Sequence, residues 1–181
     1  MTYLILPGLG DSGPDHWQSY WLKKFPNAVK LIQEDWNNPK LSDWLINLEK
    51  TLQKIESPVV LIAHSLAVSL VLHWDEKHKN SDQKVVAALL VAPADVDSEE
   101  HTPDAIRNFA PMPLHNLSFP ARVVASENDP FISVKRARCF ATCWNADLVN
   151  IGKRGHINSE SDLRYWEEGQ EILTKFLAEL N

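Results

Sequence analysis

The run Val59-Val60-Leu61-Ile62-Ala63-His64-Ser65-Leu66-Ala67 decides how this chain folds. An apolar, β-branched stretch stops abruptly at a serine, and a helix-like segment follows at once. An unbroken apolar run of this length reads as a strand covered on both faces. Small residues, Ala63 and Ala67, stand two positions either side of Ser65. This is the layout of a nucleophile elbow, a strained strand-to-helix turn that lifts a serine hydroxyl above a parallel sheet. The small flanks let the helix start cross close to neighbouring strands. The pattern is Ala-x-Ser-x-Ala where Gly-x-Ser-x-Gly is usual, and five residues alone carry little specificity. A serine at such a junction can also be an ordinary helix N-cap.

What lies downstream favours the nucleophile. The strand-like Arg122-Val123-Val124-Ala125 ends in the polar turn Ser126-Glu127-Asn128-Asp129-Pro130. A further short strand, Asp147 to Ile151, precedes Gly152-Lys153-Arg154-Gly155-His156. Ser65, Asp129 and His156 thus each follow a separate apolar strand, in the serine, acid, histidine order of an α/β-hydrolase. Their loops should meet at the carboxyl edge of the sheet, where such folds bind ligands. Glu127 competes with Asp129 for the acid role, but Asp-Pro at the turn tip is the better match.

The remaining pattern alternates strand and helix. Strands are expected at 3–6, 29–32, 58–63, 85–91, 121–126 and 147–151, and helices at 14–25, 42–56, 65–78, 133–144 and 161–179. Leu41, Trp44, Leu45, Leu48, Leu52 and Ile55 recur at three- and four-residue steps, the spacing of an amphipathic helix. Such alternation implies right-handed crossovers and a six-stranded, mostly parallel sheet with helices on both faces. The proline-rich stretch 93–120 should be a loop with one short helix over the site, too short for a large cap. With 181 residues, residues 1–181 are expected to form a single domain.

Composition narrows the function classes. A net charge of −6 argues against nucleic acid, which selects basic surfaces, and against a polybasic membrane patch. No apolar run approaches the ~20 residues of a spanning helix. Residues 1–10 lack a basic n-region, so no signal peptide is expected. Cys139 and Cys143 are too few for a disulfide scaffold and are expected as reduced thiols in or near the core, which suits the cytoplasm. No His-x-x-x-His or Cys-x-x-Cys spacing is present. Neither metal nor cofactor is expected.

The combination of Leu6-Pro7-Gly8-Leu9-Gly10, His16-Trp17, Asp35-Trp36-Asn37-Asn38-Pro39, Ala63-His64-Ser65-Leu66, Ser126-Glu127-Asn128-Asp129-Pro130 and Gly155-His156-Ile157-Asn158 resembles the small α/β-hydrolases related to retinoblastoma-binding protein nine. The resemblance spans essentially the whole chain. It implies a minimal hydrolase core and a triad carried onto Ser65, Asp129 and His156. Ala67 stands where members often have glycine, and its methyl could tighten the elbow.

From these roles a serine hydrolase of small esters or related acyl compounds is expected. The backbone N–H of Leu66 would form one half of an oxyanion hole. The N–H of Leu9 would form the other, with Gly8 and Gly10 allowing close approach. Gly8-x-Gly10-x-x-Gly13 also suggests a dinucleotide loop, but Pro14 and Asp15 break that pattern. Trp36, at the same sheet edge, is a candidate pocket wall or a packing residue. His64 should pack beneath the elbow. His16, His73, His78, His101 and His115 lack triad context and are expected at the surface or in supporting positions. The alternative function is a protein-interaction module on a hydrolase fold with vestigial activity. Nothing in the sequence indicates a specific protein partner, and esterase, amidase and peptidase differ only in leaving group.

Overall fold

Strand residues alternate between two apolar layers, and that alternation builds the molecule. In a computed structural model, which describes residues 1–79 and 84–180, the strands are β1 (Thr2–Leu6), β2 (Ala28–Lys30), β3 (Val59–His64), β4 (Val85–Val91), β5 (Ala121–Ala125) and β6 (Asp147–Asn150). They form one sheet in the order β2-β1-β3-β4-β5-β6, each neighbouring pair parallel. Leu4, Leu6, Leu61, Ala63 and Val123 face one layer; Ile5, Val60, Ile62 and Val124 face the other. The first layer is filled from α2 (Leu41–Lys54), α3 (Leu66–His78) and α4 (Val134–Trp144). The second is filled from α1 (Trp17–Lys24) and α5 (Glu167–Glu179), with Trp17, Trp21 and Trp166 packed as one aromatic group. Tryptophan thus does the bulk filling on both sides of the sheet.

The expected elements are present, and their ends shift for local reasons. Helix α1 starts at Trp17, not Pro14, because His16 takes the N-cap position and its ring accepts from the Gln18 N–H. The last expected helix splits. A short 3-10 turn occupies Ser159–Ser161, and positive φ at Asp162, Arg164 and Trp166 delays α5 to Glu167. Helix α2 has no side-chain cap of its own. Asn108, from the 93–120 segment, accepts from the Leu41 N–H at 2.8 Å instead.

The 93–120 segment carries one short helix, a 3-10 helix at Asp104–Phe109, and is tied down by polar contacts. Buried Asp75 accepts from His115 Nε2 and from the Ser118 N–H. His73 Nε2 donates to the Phe109 carbonyl at 2.8 Å, and Asn108 Nδ2 to the Pro39 carbonyl. Cys139 is exposed and Cys143 half-buried. Cys143 thus packs against the edge of the core, as expected, while the expectation is corrected for Cys139: α4 turns Ala137, Phe140, Ala141 and Trp144 inward and leaves Cys139 facing outward.

The chain leaves β1 toward β2 on one side and returns to β3 on the other. The strand order reverses there, so the loops after β1 and β3 part and open a crevice at their carboxyl ends.

Candidate active site

Ser65 ends β3 with φ 56° and ψ −121°. Left-handed φ at a serine is costly and persists only where the surroundings enforce it. Here the Ser65 N–H donates to the Val91 carbonyl at 3.0 Å, and the Ser65 carbonyl accepts from the Val68 N–H at 3.0 Å. Ser65 occupies the N-cap position of α3, but its hydroxyl makes no capping bond. It hydrogen-bonds His156 Nε2 at 2.7 Å. The capping alternative thus does not account for this side chain.

His156 Nδ1 lies 2.9 Å from both carboxylate oxygens of Asp129, whose side chain is fully buried. With the carboxylate ionised, Nδ1 donates, and Nε2 is left to accept the Ser65 proton. Asp129 is held in turn by the Phe131 N–H at 2.9 Å. Glu127, its competitor, accepts instead from Asn150 Nδ2 on the exposed side of the turn. The three residues that the sequence singles out therefore form one hydrogen-bonded line, from loops after β3, β5 and β6. Such a line can draw a proton from a hydroxyl and stabilise the resulting imidazolium.

His64 sits beneath this line. Its Nε2 donates to the His156 carbonyl at 2.9 Å. A carbonyl only accepts, so the His64 proton is on Nε2. Complete burial, with the neighbouring His16 and His156 adding repulsion, holds its pKa well below the ordinary value. It therefore stays neutral and clamps the His156 loop.

The β1 loop approaches closely. A Cβ on Gly8 would lie 2.9 Å from Ser65 Cβ and 3.0 Å from the His64 carbonyl oxygen. Gly10, at φ 75°, donates its N–H to the Trp36 carbonyl. Leu9, between them, lines the same cavity as Leu66, and neither amide N–H is taken up by a backbone or side-chain acceptor among the described residues. Gln18 ties this end of the sheet together, its Nε2 donating to the carbonyls of Leu6 and Ile62 at 3.1 Å each.

The cavity measures about 320 Å³. Ala94, Pro103 and Ile106 roof it from the 93–120 segment, and Phe131 forms a wall, edge-on to His156 at 4.5 Å. Trp36 is not among its lining residues. The Trp36 ring packs against Trp44 at 5.6 Å, and Lys30 Nζ lies 5.7 Å from it. What Trp36 brings to the site is its carbonyl, which anchors Gly10. His16 moves the other way. It is a cavity-lining residue only 3% exposed, not a surface or supporting histidine. Its signal was its place, directly after the glycine loop and at the mouth of α1. Gln18 carried no such signal. Among the described residues no cluster of His, Cys, Asp or Glu is arranged to hold a metal ion, and no helix is long and apolar enough to cross a membrane.

Comparison with known proteins agrees with this architecture. A YdeN-like hydrolase from Pectobacterium atrosepticum is 32% identical, with 99% of this chain and 91% of that one covered and a TM-score of 0.85. The ydeN gene product of B. subtilis is 18% identical over 98% of each chain, with a TM-score of 0.78. Est1E from Butyrivibrio proteoclasticus is 13% identical over 99% of this chain and 87% of that one, at a TM-score of 0.73, a likeness of fold. A search of the curated proteins found no match. The serine hydrolase family model matches residues 3–175, and the chain belongs to that family of α/β-hydrolases.

Proposed function

We propose that this serine hydrolase cleaves small carboxylic esters, with Ser65 as nucleophile, His156 as general base and acid, and Asp129 as the group that orients the imidazole. The observation that carries this reading is the unbroken line from Ser65 Oγ through His156 to Asp129, with contacts of 2.7 and 2.9 Å. A serine hydroxyl is a weak nucleophile without an adjacent base. His156 Nε2 takes its proton as the oxygen attacks the ester carbonyl. The oxyanion is met by the N–H groups of Leu66 and Leu9, each worth ~3–4 kcal/mol of barrier in comparable sites. His156 then protonates the departing alcohol, leaving the acyl group on Ser65. Water enters, His156 removes its proton, and the acid is released.

The size of the site supports a small substrate. A cavity of about 320 Å³ lies at the low end of the ~300–1,000 Å³ of small-molecule pockets. Two unbridged cysteines fit a reducing compartment such as the cytoplasm. The test is a pre-steady-state assay on a p-nitrophenyl ester of a short acid. An acyl-enzyme that forms faster than it hydrolyses gives a burst of nitrophenol approaching the enzyme concentration, absent from Ser65→Ala. No hydrolysis of short esters by the wild type would leave the protein-binding alternative in its place.

A further inference from the structure

His16 is built into the cavity wall in a way that the triad does not use. It is the N-cap residue of α1, and its side-chain Nδ1 accepts from the Gln18 N–H at 3.1 Å. That bond fixes the ring and requires Nδ1 to be unprotonated, so the proton of the neutral imidazole sits on Nε2. The ring stands edge-on to His64, with centroids 4.8 Å apart, and His64 in turn packs on His156 at 4.9 Å. His16 and His156 therefore both pack on the His64 ring, and all three line the same cavity as Ser65. Burial above all, with His156 adding repulsion, lowers the His16 pKa to about 4, which keeps the ring neutral near pH 7. Among the described residues no acceptor engages Nε2, yet the atom is not among the sealed, unpaired ones. The residue lines the cavity and is otherwise enclosed, being 3% exposed. A buried donor without a protein partner costs stability unless a ligand or water meets it. The neighbouring Asp11 carboxylate, which lines the same cavity, accepts from Lys30 Nζ and the Ser12 N–H.

The leaving group of the substrate must lie beside His156 Nε2, the atom that protonates it. We propose that His16 Nε2–H donates a hydrogen bond to an acceptor atom carried by the leaving group, which makes His16 a specificity-determining residue. The favoured substrates are then esters whose alcohol part bears an ether or hydroxyl oxygen close to the scissile bond. This inference rests on the proposed triad.

The experiment compares kcat/KM for the 2-methoxyethyl and n-butyl esters of one short acid, isosteric save for the ether oxygen. It is run on the wild type and on His16→Asn, which keeps an N-cap acceptor for α1. The wild type should favour the methoxyethyl ester by about tenfold, the worth of one hydrogen bond. In His16→Asn the ratio should fall to that of alkaline hydrolysis. Because the ratio is taken within each protein, general loss of activity or stability cancels from it. An equal ratio in both proteins overturns the inference. So does a His16-dependent preference that arises only in an acyl-side pair, propyl 3-methoxypropanoate against propyl pentanoate. Fluorophosphonate labelling of wild-type Ser65 separates the levels: labelling with an unchanged ratio overturns the His16 role alone, and no labelling overturns the triad and the inference with it.

Discussion

Replacing Gly8 with alanine tests how closely the β1 loop must approach the Ser65 elbow. The added methyl would lie 2.9 Å from Ser65 Cβ, 3.0 Å from the His64 carbonyl oxygen and 3.3 Å from the Leu66 nitrogen. Non-bonded carbons settle at about 3.5–4.0 Å, so loop and elbow must separate by roughly 0.6 Å or more. Backbone lines every side of the contact except Ser65 itself, so no flexible side chain can swing away. The Leu9 amide, one residue on, moves with the loop. A misplacement on the order of 1 Å in an active site costs about 100-fold, and outright loss of an oxyanion donor about 10²–10³-fold in kcat. We therefore expect Gly8→Ala to lower kcat on a short aryl ester about 100-fold, with the folded state retained by circular dichroism. Gly10→Ala is the control. Its Cβ meets nothing within 4 Å, and its φ of 75° imposes only a backbone cost on the order of 1 kcal/mol on stability. If Gly8→Ala kept kcat within a small factor of the wild type, the β1 loop would not supply the donor.

Three further outcomes are expected. Asp129→Asn should cut kcat about 10³–10⁴-fold by admitting the wrong His156 tautomer, while Glu127→Gln, removed from the imidazole, should change it little; the reverse ranking would hand the acid role to Glu127. The unfolded chain takes up a proton on His16 near pH 6.5, whereas the native state does so only at about 4. Stability from His16 is therefore present above pH 6.5 and lost as the pH falls toward 4, by about 2 kcal/mol between pH 7 and pH 5. Urea midpoints should show this slope shrinking in His16→Asn, and equal slopes in both proteins would refute it. Across aryl esters from acetyl to palmitoyl, kcat/KM should peak at about two to six carbons, since methylenes beyond the cavity forfeit ~0.8 kcal/mol each; a rise continuing through the long chains would refute the small cavity.

The central strands were legible because burial on both faces favours a continuous apolar run: Val85–Val91, buried except at Val86, matches its sequence expectation at both ends. The same burial made Ser65 conspicuous, as a polar residue terminating such a run. Helix ends were less legible. The start of α2 is closed by Asn108, 67 residues away, and no local signal encodes so distant a partner. The order of Ser65, Asp129 and His156 could be read because each follows its own strand. The cavity wall could not, because it depends on how loops pack across the switch point. Phe131 and Ile106 come to line it from distant segments, and Trp36, one loop away, turns its ring to Trp44 instead. His16 was hidden for a related reason. Its role comes from contacts with His64 and from an open Nε2, neither of which periodicity records.

In the proposed mechanism Ser65, activated by His156, is the nucleophile. A fluorophosphonate probe followed by peptide mapping tests it most directly. One modified residue is expected, Ser65, with labelling abolished in Ser65→Ala and strongly slowed in His156→Ala, while both variants remain folded. Modification of a different serine, or undiminished labelling of Ser65→Ala, would contradict it.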